Sequence, residues 1–491
     1  MSFYMYDIGF LVIFTTFVVW FLYSHRTNLK REGIMYLYRT QVGVKFINYV
    51  GGKYKRTLSV LGFIGIICGY LLMASMIYFL YKLVYLYLFV PEVVRAIKIP
   101  PLMPLIPYLP EAFNISFLPP FYFTYWIIAI AVIAIFHEFA HGIIARRYDV
   151  KIHTTGFGFL GPFLAAFVEP DETQMNKKPK YQQIAILSAG VFVNLILAIL
   201  FFLMLSGFFV LTYVPAGAMF NTYTPSLVEV GKISAIDGKV LEIASKQGIL
   251  DLIEENSLTD DLILGGNGKK IHLTKVVANG KNYYTTIDSL KSQLERGESN
   301  IALYEDLPAI NAGLRGVIIE ADGKKIDNHD DLSNVLKDYS PGDSINIVAR
   351  DNVDGNEEIL NYDLVLGEDS NQEGRAVIGI GFFSNSERML GKITDFFNFF
   401  KKPATFYEPR FNVELVIFIY NLIWWLALIN LSVALINMWP VAIFDGGRMF
   451  MLSVWAVTGS ERFAKAMFKL VTYLILGALL LLMVGWFLAV F

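Results

Sequence analysis

The sequence predicts a polytopic α-helical membrane protein of about six spans, with a re-entrant β-hairpin and an inserted extracytoplasmic α/β region. Three observations predict it. Of 491 residues, 55% are hydrophobic and 15% aromatic, above the soluble norm, and they cluster in runs of twenty or more. The formal net charge of -2 hides basic residues gathered in a few loops. Asp and Glu concentrate instead between 226 and 390, among short β-branched stretches and Asp-Gly or Asn-Gly turns. The lipid bilayer is the expected environment, and no nucleic-acid partner is expected. One cysteine, Cys68, excludes an intramolecular disulfide and a Cys-based zinc site.

The chain divides as follows. Residues 1-120 hold helix one (7-23), read as retained rather than cleaved, and helix two (58-90). The loop 24-57 between them has eight Lys or Arg against Glu32 alone, so it should be cytoplasmic and the N-terminus outside. Alternation at Tyr36, Tyr38, Val42, Val44 and Phe46 suggests a strand or hairpin. Residues 91-120 are Pro-rich and should form an external loop. The stretch 121-213 holds helix three (121-145), a hairpin near 154-161 and helix four (183-213). Arg146-Arg147 and Lys177 to Lys180 mark cytoplasmic ends. Within 214-390, Ile233 to Lys239 followed by Ile249 to Ile253 resembles Ile318 to Lys324 followed by Leu332 to Leu336. Each copy reads as strand, tight turn and short helix, so two modules are expected, 214-297 and 298-390. Residues 391-412 (Phe396, Phe397, Phe399, Phe400, Lys401, Lys402) suggest an amphipathic interfacial segment. Helices five (413-438) and six (464-490) complete 413-491.

Candidate chemistry centres on Phe136-His137-Glu138-Phe139-Ala140-His141-Gly142, at the end of the apolar run 126-135. Residues four apart share a helix face, so His137 and His141 can hold one metal ion. Glu138 flanks them, placed to act as general base on an activated water. Charged groups in a spanning helix mark function by default. A catalytic zinc takes three protein ligands. Asp445 is the candidate third, presented by the loop Asn437 to Arg448, in which Pro440 breaks helix five and Gly446-Gly447 permit a sharp turn. A helix N-cap is the structural alternative for Asp445. The Gly156-Phe157-Gly158 stretch reads as a hairpin with an exposed strand edge near the site, suited to holding an extended peptide. An ordinary surface hairpin is equally compatible.

Together, Phe136 to His141 and Asn437-x-x-Pro440-x-x-x-x-Asp445-Gly446-Gly447 resemble the site-2 protease family of intramembrane zinc metalloproteases. The resemblance implies Zn2+ held by His137, His141 and Asp445, with Glu138 as catalytic base. It also implies regulated cleavage of membrane-spanning protein substrates within or near their transmembrane helices. Gly190-Val191-Phe192-Val193-Asn194 matches a family element without its Pro, which makes Asn194 a substrate-binding or oxyanion candidate, with Asn437 a second. Gly156, Phe157 and Gly158 resemble the family's membrane-reentrant β element. Residues 298-385 resemble a PDZ domain through Pro308 to Leu314, Asp322-Gly323-Lys324 and Pro341-Gly342-Asp343. Such a domain filters substrates or binds a peptide end, and 214-297 matches it less well. A prokaryotic plasma membrane is the expected location, with the active site toward the cytoplasm and the PDZ-like region outside.

Two alternatives stand beside this reading. One is another class of membrane zinc protease, cleaving soluble segments, whose third ligand is a Glu on a later helix; the Asp-Gly-Gly turn counts against it. The other is a transporter or scaffold, which does not require Glu138 and, for a transporter, would favour inverted repeats that are not apparent.

Overall fold

The protein is described from a computed structural model. It describes residues 3–33, 35–90, 100–101, 103–113, 115, 118–160, 163–255, 258–260, 262–264, 271–353, 356–370, 372–382 and 398–490. The chain forms two compact units, Met1–Phe209 with Glu414–Phe491, and Val210–Val413.

The first unit is helical. Its long helices are α1 (Phe3–Ser24), α3 (Lys55–Phe89), α4 (Phe123–Arg147), α5 (Lys180–Thr212), α6 (Val413–Ile436) and α8 (Glu461–Val490). All six are long and apolar enough to cross a membrane. Its shorter helices include α2 (Val44–Lys53) and α7 (Asp445–Thr458), besides the single turns Leu109–Ala112 and Glu172–Asn176. In the most apolar stretch of α6, 50% of residues are buried, against 11% in α1. So α6 is the centre of the bundle and α1 its periphery. At about 1.5 Å per residue, α3 exceeds a ~30 Å hydrocarbon core, so it tilts or projects.

Sequence reading missed one carboxylate in this unit. Asp7 of α1 is buried and accepts from the amides of Phe123 (2.7 Å) and Thr124 (2.8 Å), the Thr124 hydroxyl (2.5 Å) and the Tyr108 hydroxyl. The first amides of any helix lack intrahelical partners, and Tyr122, the N-cap of α4, supplies no side-chain bond. Asp7 caps α4 from another helix.

Four strands form an antiparallel sheet in the order β1 (Leu29–Glu32), β2 (Met35–Thr40), β3 (Ile152–Leu160), β4 (Phe163–Pro170). Arg39 joins three of them, bonding Glu32 at 2.8 Å and Glu169 at 3.2 Å. The strand expected over 35–50 stops at Thr40. Gly43, at φ 88°, turns the chain, and Val44, Ile47 and Gly51 are buried at helical spacing along α2. Val44 and Phe46 are therefore helical, one buried and one exposed, and Val42 precedes the helix.

The second unit contains two larger sheets, each with its own core, and two small two-stranded ones among the described residues. The first uses Pro225–Glu229, Ile233–Ile236, Lys239–Val240, Leu262–Leu264, Ile271–Ala278, Lys281–Thr285 and Asn300–Glu305. The second uses Tyr213–Ala218, Val317–Ala321, Lys324–Lys325, Ser344–Val353, Asn356–Val365 and Thr405–Pro409. This corrects the boundary expected at 297/298. Strand Asn300–Glu305 pairs with Pro225–Glu229 and belongs to the first sheet, while Tyr213–Ala218 belongs to the second. One module is therefore inserted within the other.

The repeat is visible in local structure. Asp237-Gly238 and Asp322-Gly323 both turn with positive φ (49° and 74°; 45° and 73°), the conformation of tight hairpin turns. Helices Lys246–Glu255 and His329–Leu336 follow them. The expected interfacial segment is also revised. Thr405–Pro409 is a strand paired with Tyr213–Ala218, and Phe396 and Phe397 lie outside the described residues.

Candidate metal centre

Three side chains from two separated parts of the chain converge. His137 and His141 lie one turn apart on α4, their Nε2 atoms 3.0 Å from each other. Asp445 Oδ2 is 3.3 Å from each. Asp445 is the first residue of α7 rather than part of a loop, and the N-cap before it, Phe444, makes no side-chain bond. A carboxylate at a helix N-terminus is favoured by the unpaired amides there. The turn that presents it needs both glycines. A Cβ on Gly446 would lie 2.4 Å from the Met438 backbone, and one on Gly447 would lie 2.2 Å from the Val441 carbonyl oxygen. The Gly446 amide donates to the Asn437 carbonyl at 2.8 Å. Asn437 thus holds the turn through its backbone.

The donor set fits a metal ion. Four-coordinate zinc with ligands at about 2.0–2.1 Å separates ligand atoms by roughly 3.3 Å, which the observed triangle approaches. Proton placement agrees. His141 Nδ1 faces the Ile186 carbonyl at 2.7 Å. A carbonyl only accepts, so Nδ1 holds the proton and Nε2 keeps its lone pair. His137 Nδ1 faces the Asn194 amide at 3.0 Å, and Asn194 Oδ1 is buried with no partner. Amide orientation is assigned from the hydrogen-bond network. Turning the oxygen toward Nδ1 satisfies that atom and leaves His137 Nε2 free as well. Two lone pairs then face each other across 3.0 Å beside a carboxylate, an arrangement that a cation stabilises.

The remaining expected residues are placed as follows. Asn194 is fully buried behind His137, where it orients the ring; that position differs from the substrate-facing one expected. Gly190 lies against both rings. A Cβ there would sit 2.4 Å from His141 Nε2 and 2.6 Å from His137 Cε1, so only glycine lets α5 approach. Glu138 accepts from the Val168 amide of β4 at 3.1 Å. Gly156, Phe157 and Gly158 are on β3, paired to β2 on one side and β4 on the other. They are not at the exposed edge expected of them. Their glycines answer to packing instead, since a Cβ on Gly156 would lie 2.2 Å from the Tyr38 carbonyl oxygen and one on Gly158 2.8 Å from Met35. The edge nearest Glu138 is β4. Gly142 lets it approach α4, because a Cβ there would meet Val168 at 3.0 Å and Ile47 at 3.2 Å.

Comparison with known proteins agrees with this geometry. Residues 125–483, which span most of α4, all of α7 and most of α8, match the model of peptidase family M50. The chain belongs to peptidase family M50. A bacterial relative from Xylella fastidiosa (strain 9a5c), named "Putative zinc metalloprotease", is 23% identical over 430 residues, covering 71% of this chain and 94% of its own length. The resemblance to site-2 proteases is thereby borne out at the level of family. This M50 chain is a metalloprotease and an integral membrane protein.

Proposed function

We propose that this M50 peptidase uses zinc held by His137, His141 and Asp445 to hydrolyse peptide bonds within, or just below, the transmembrane helices of membrane-protein substrates. The observation that carries the reading is the triangle of two Nε2 atoms and one carboxylate oxygen, 3.0–3.3 Å on a side, in a bundle of membrane-spanning length. When bound, the ion supplies Lewis acidity toward water and the peptide carbonyl.

The residues of the chain do the rest. Glu138, held by the Val168 amide, takes a proton from the attacking water and returns it to the leaving amine. Asn194 and the Ile186 carbonyl keep both imidazoles oriented, the role that outer partners play at metal centres. Asn437 is the remaining amide for the substrate carbonyl. A helical substrate buries its scissile bond, so it must first extend. The outer edge of β4 has no strand partner among the described residues and suits an added strand, which would take over the Val168 amide that Glu138 now accepts from; this supports a re-entrant role for the sheet.

The second sheet of Val210–Val413 is read as PDZ-like. A cavity of about 540 Å³, lined by His329, Leu332, Leu336 and residues 372–380, gives it space for a peptide end. Basic sequence at 24–57, 146–147 and 177–180 supports a cytoplasmic active site and an extracytoplasmic PDZ-like region, in a prokaryotic plasma membrane.

The test is zinc content and cleavage of a single-span substrate by purified wild type, Glu138→Gln and Asp445→Asn. The expectation is about one zinc per chain in the first two, weakened zinc in the third, and cleavage by wild type alone, with Glu138→Gln slower by about 10²–10⁴-fold. Full zinc in Asp445→Asn would remove that residue from the ligand set. Folded wild type without zinc would end the proposal.

A further inference from the structure

The helix α2 is not used by the mechanism above, yet it packs on the motif helix. Its buried face is Val44, Ile47 and Gly51. Gly43 at its start lies against Phe139, where a Cβ would come within 2.6 Å of that ring, and Ile47 fills the space left by Gly142. Phe46 and Phe139 have ring centroids 6.3 Å apart. The helix α2 thus touches the motif helix at Phe139 and Gly142, on either side of His141 in sequence.

Its opposite face has another composition. At 100° per residue, Lys45, Phe46, Tyr49 and Lys53 form one stripe about 180° from the buried face. All four are exposed, Phe46 by 55% and Tyr49 by 57%. The Lys53 ammonium donates to the Tyr49 hydroxyl at 2.6 Å and lies 4.9 Å from that ring and 5.5 Å from the ring of Tyr54. Lys55 and Arg56 continue the positive charge into the start of α3, and residues 41–60 contain no acid. Lys55 pairs with Asp149 at 3.2 Å; Lys45, Lys53 and Arg56 make no ion pair among the described residues.

We propose that α2 is an interfacial helix that binds anionic phospholipid headgroups through Lys45, Lys53 and Arg56, with Phe46 and Tyr49 in the headgroup layer, and that this contact sets the position of the motif helix. Aromatic rings beside lysines on one helix face are the composition of that layer. The bilayer is the occupant because only Tyr54 separates the end of α2 from the start of the spanning helix α3. Anionic lipid complements Lys45 and Lys53 of the stripe and the neighbouring Arg56, none of which has an ion-pair partner among the described residues.

The activity part of this inference rests on the proposed peptidase reading; the lipid contact does not. The test uses the full chain in vesicles. With Cys68→Ser removing the native thiol, Phe46→Cys is labelled with an environment-sensitive fluorophore. In phosphatidylcholine vesicles containing phosphatidylglycerol, headgroup-depth spin-labelled lipid should quench the probe and aqueous iodide should not. Separately, Lys45→Gln/Lys53→Gln should need roughly two- to fivefold more phosphatidylglycerol for half-maximal cleavage, with zinc content unchanged. A probe open to iodide and untouched by lipid quencher would overturn the membrane contact and leave an acidic protein as the occupant of the stripe. A lipid-facing probe with identical phosphatidylglycerol dependence in wild type and double variant would overturn the headgroup role of the lysines. Quenching by lipid with no cleavage by any variant would count against the peptidase reading while supporting the contact.

Discussion

At Gly190 the functional requirement is the absence of a side chain. A Cβ there would lie 2.4 Å from His141 Nε2 and 2.7 Å from His137 Nδ1, closer than carbon and nitrogen can approach without a shift. Gly190→Ala should therefore displace one imidazole and lower zinc affinity at least about tenfold, the scale on which outer-shell changes act. Zinc per folded chain, titrated against a chelator of known affinity, measures it. Wild-type affinity in Gly190→Ala would show that α5 can withdraw freely and that the close approach has no consequence. The ligands themselves were legible in the sequence, since spacing fixes His137 and His141 on one face, and the Asp-Gly-Gly turn singles out Asp445. Asn194 was legible as a polar residue in an apolar helix, but which neighbour it meets depends on the rotation of α5 about its axis. Linear sequence does not set that rotation.

Elements were read well where one property decided them. The spans follow from apolar length alone, and all six fall within a few residues of expectation. Elements decided by partners were read less well. Strand β3 reads as an edge because its hairpin directly follows the motif helix, yet β2, more than a hundred residues earlier, covers it. The start of α2 reads as a strand because Val42, Val44 and Phe46 are spaced by two, yet only Val44 is buried and the buried face continues at Ile47 and Gly51. The trans-cap was invisible for the same reason, since nothing near Asp7 names the amides of Phe123 and Thr124 as its partners. Replacing Asp7 with Ala strands those buried donors, each at about 1–3 kcal/mol. Asp7→Ala should lower the thermal midpoint of the purified protein while leaving zinc content per folded chain intact, because the metal ligands lie more than three turns further along α4. Calorimetry on wild type and variant decides it. An unchanged midpoint would mean that solvent or lipid replaces the carboxylate.

On the scale of the whole chain, the sequence showed that two similar modules exist but not that one is threaded into the other. Sequence order suggests tandem domains. Strand pairing shows nesting, with Tyr213–Ala218, Val317–Ala321 and Thr405–Pro409 meeting in one sheet across almost two hundred residues. The point of insertion is narrow, because the Glu305 amide donates to the Thr224 carbonyl at 2.9 Å. Two or three glycines could join those residues with 225–304 removed, without stretching the chain, since each spans up to about 3.5 Å. The excised module takes its own core with it, built on Ile233, Ile236, Ile249, Leu290, Ile301 and Leu303. What is lost is a small cluster in which Leu273 and Tyr284 cover Ile310. Exposing part of Ile310 costs less than the about 1.5–3 kcal/mol of a fully exposed side chain, and less than a typical domain stability. The shortened protein should therefore insert into membranes, bind zinc and hydrolyse a short single-span substrate. If instead it aggregates or loses zinc, the inserted module is a structural part of the second sheet rather than a removable addition to it. Retained hydrolysis together with new cleavage of substrates bearing bulky extracytoplasmic domains would assign the inserted module the filtering role.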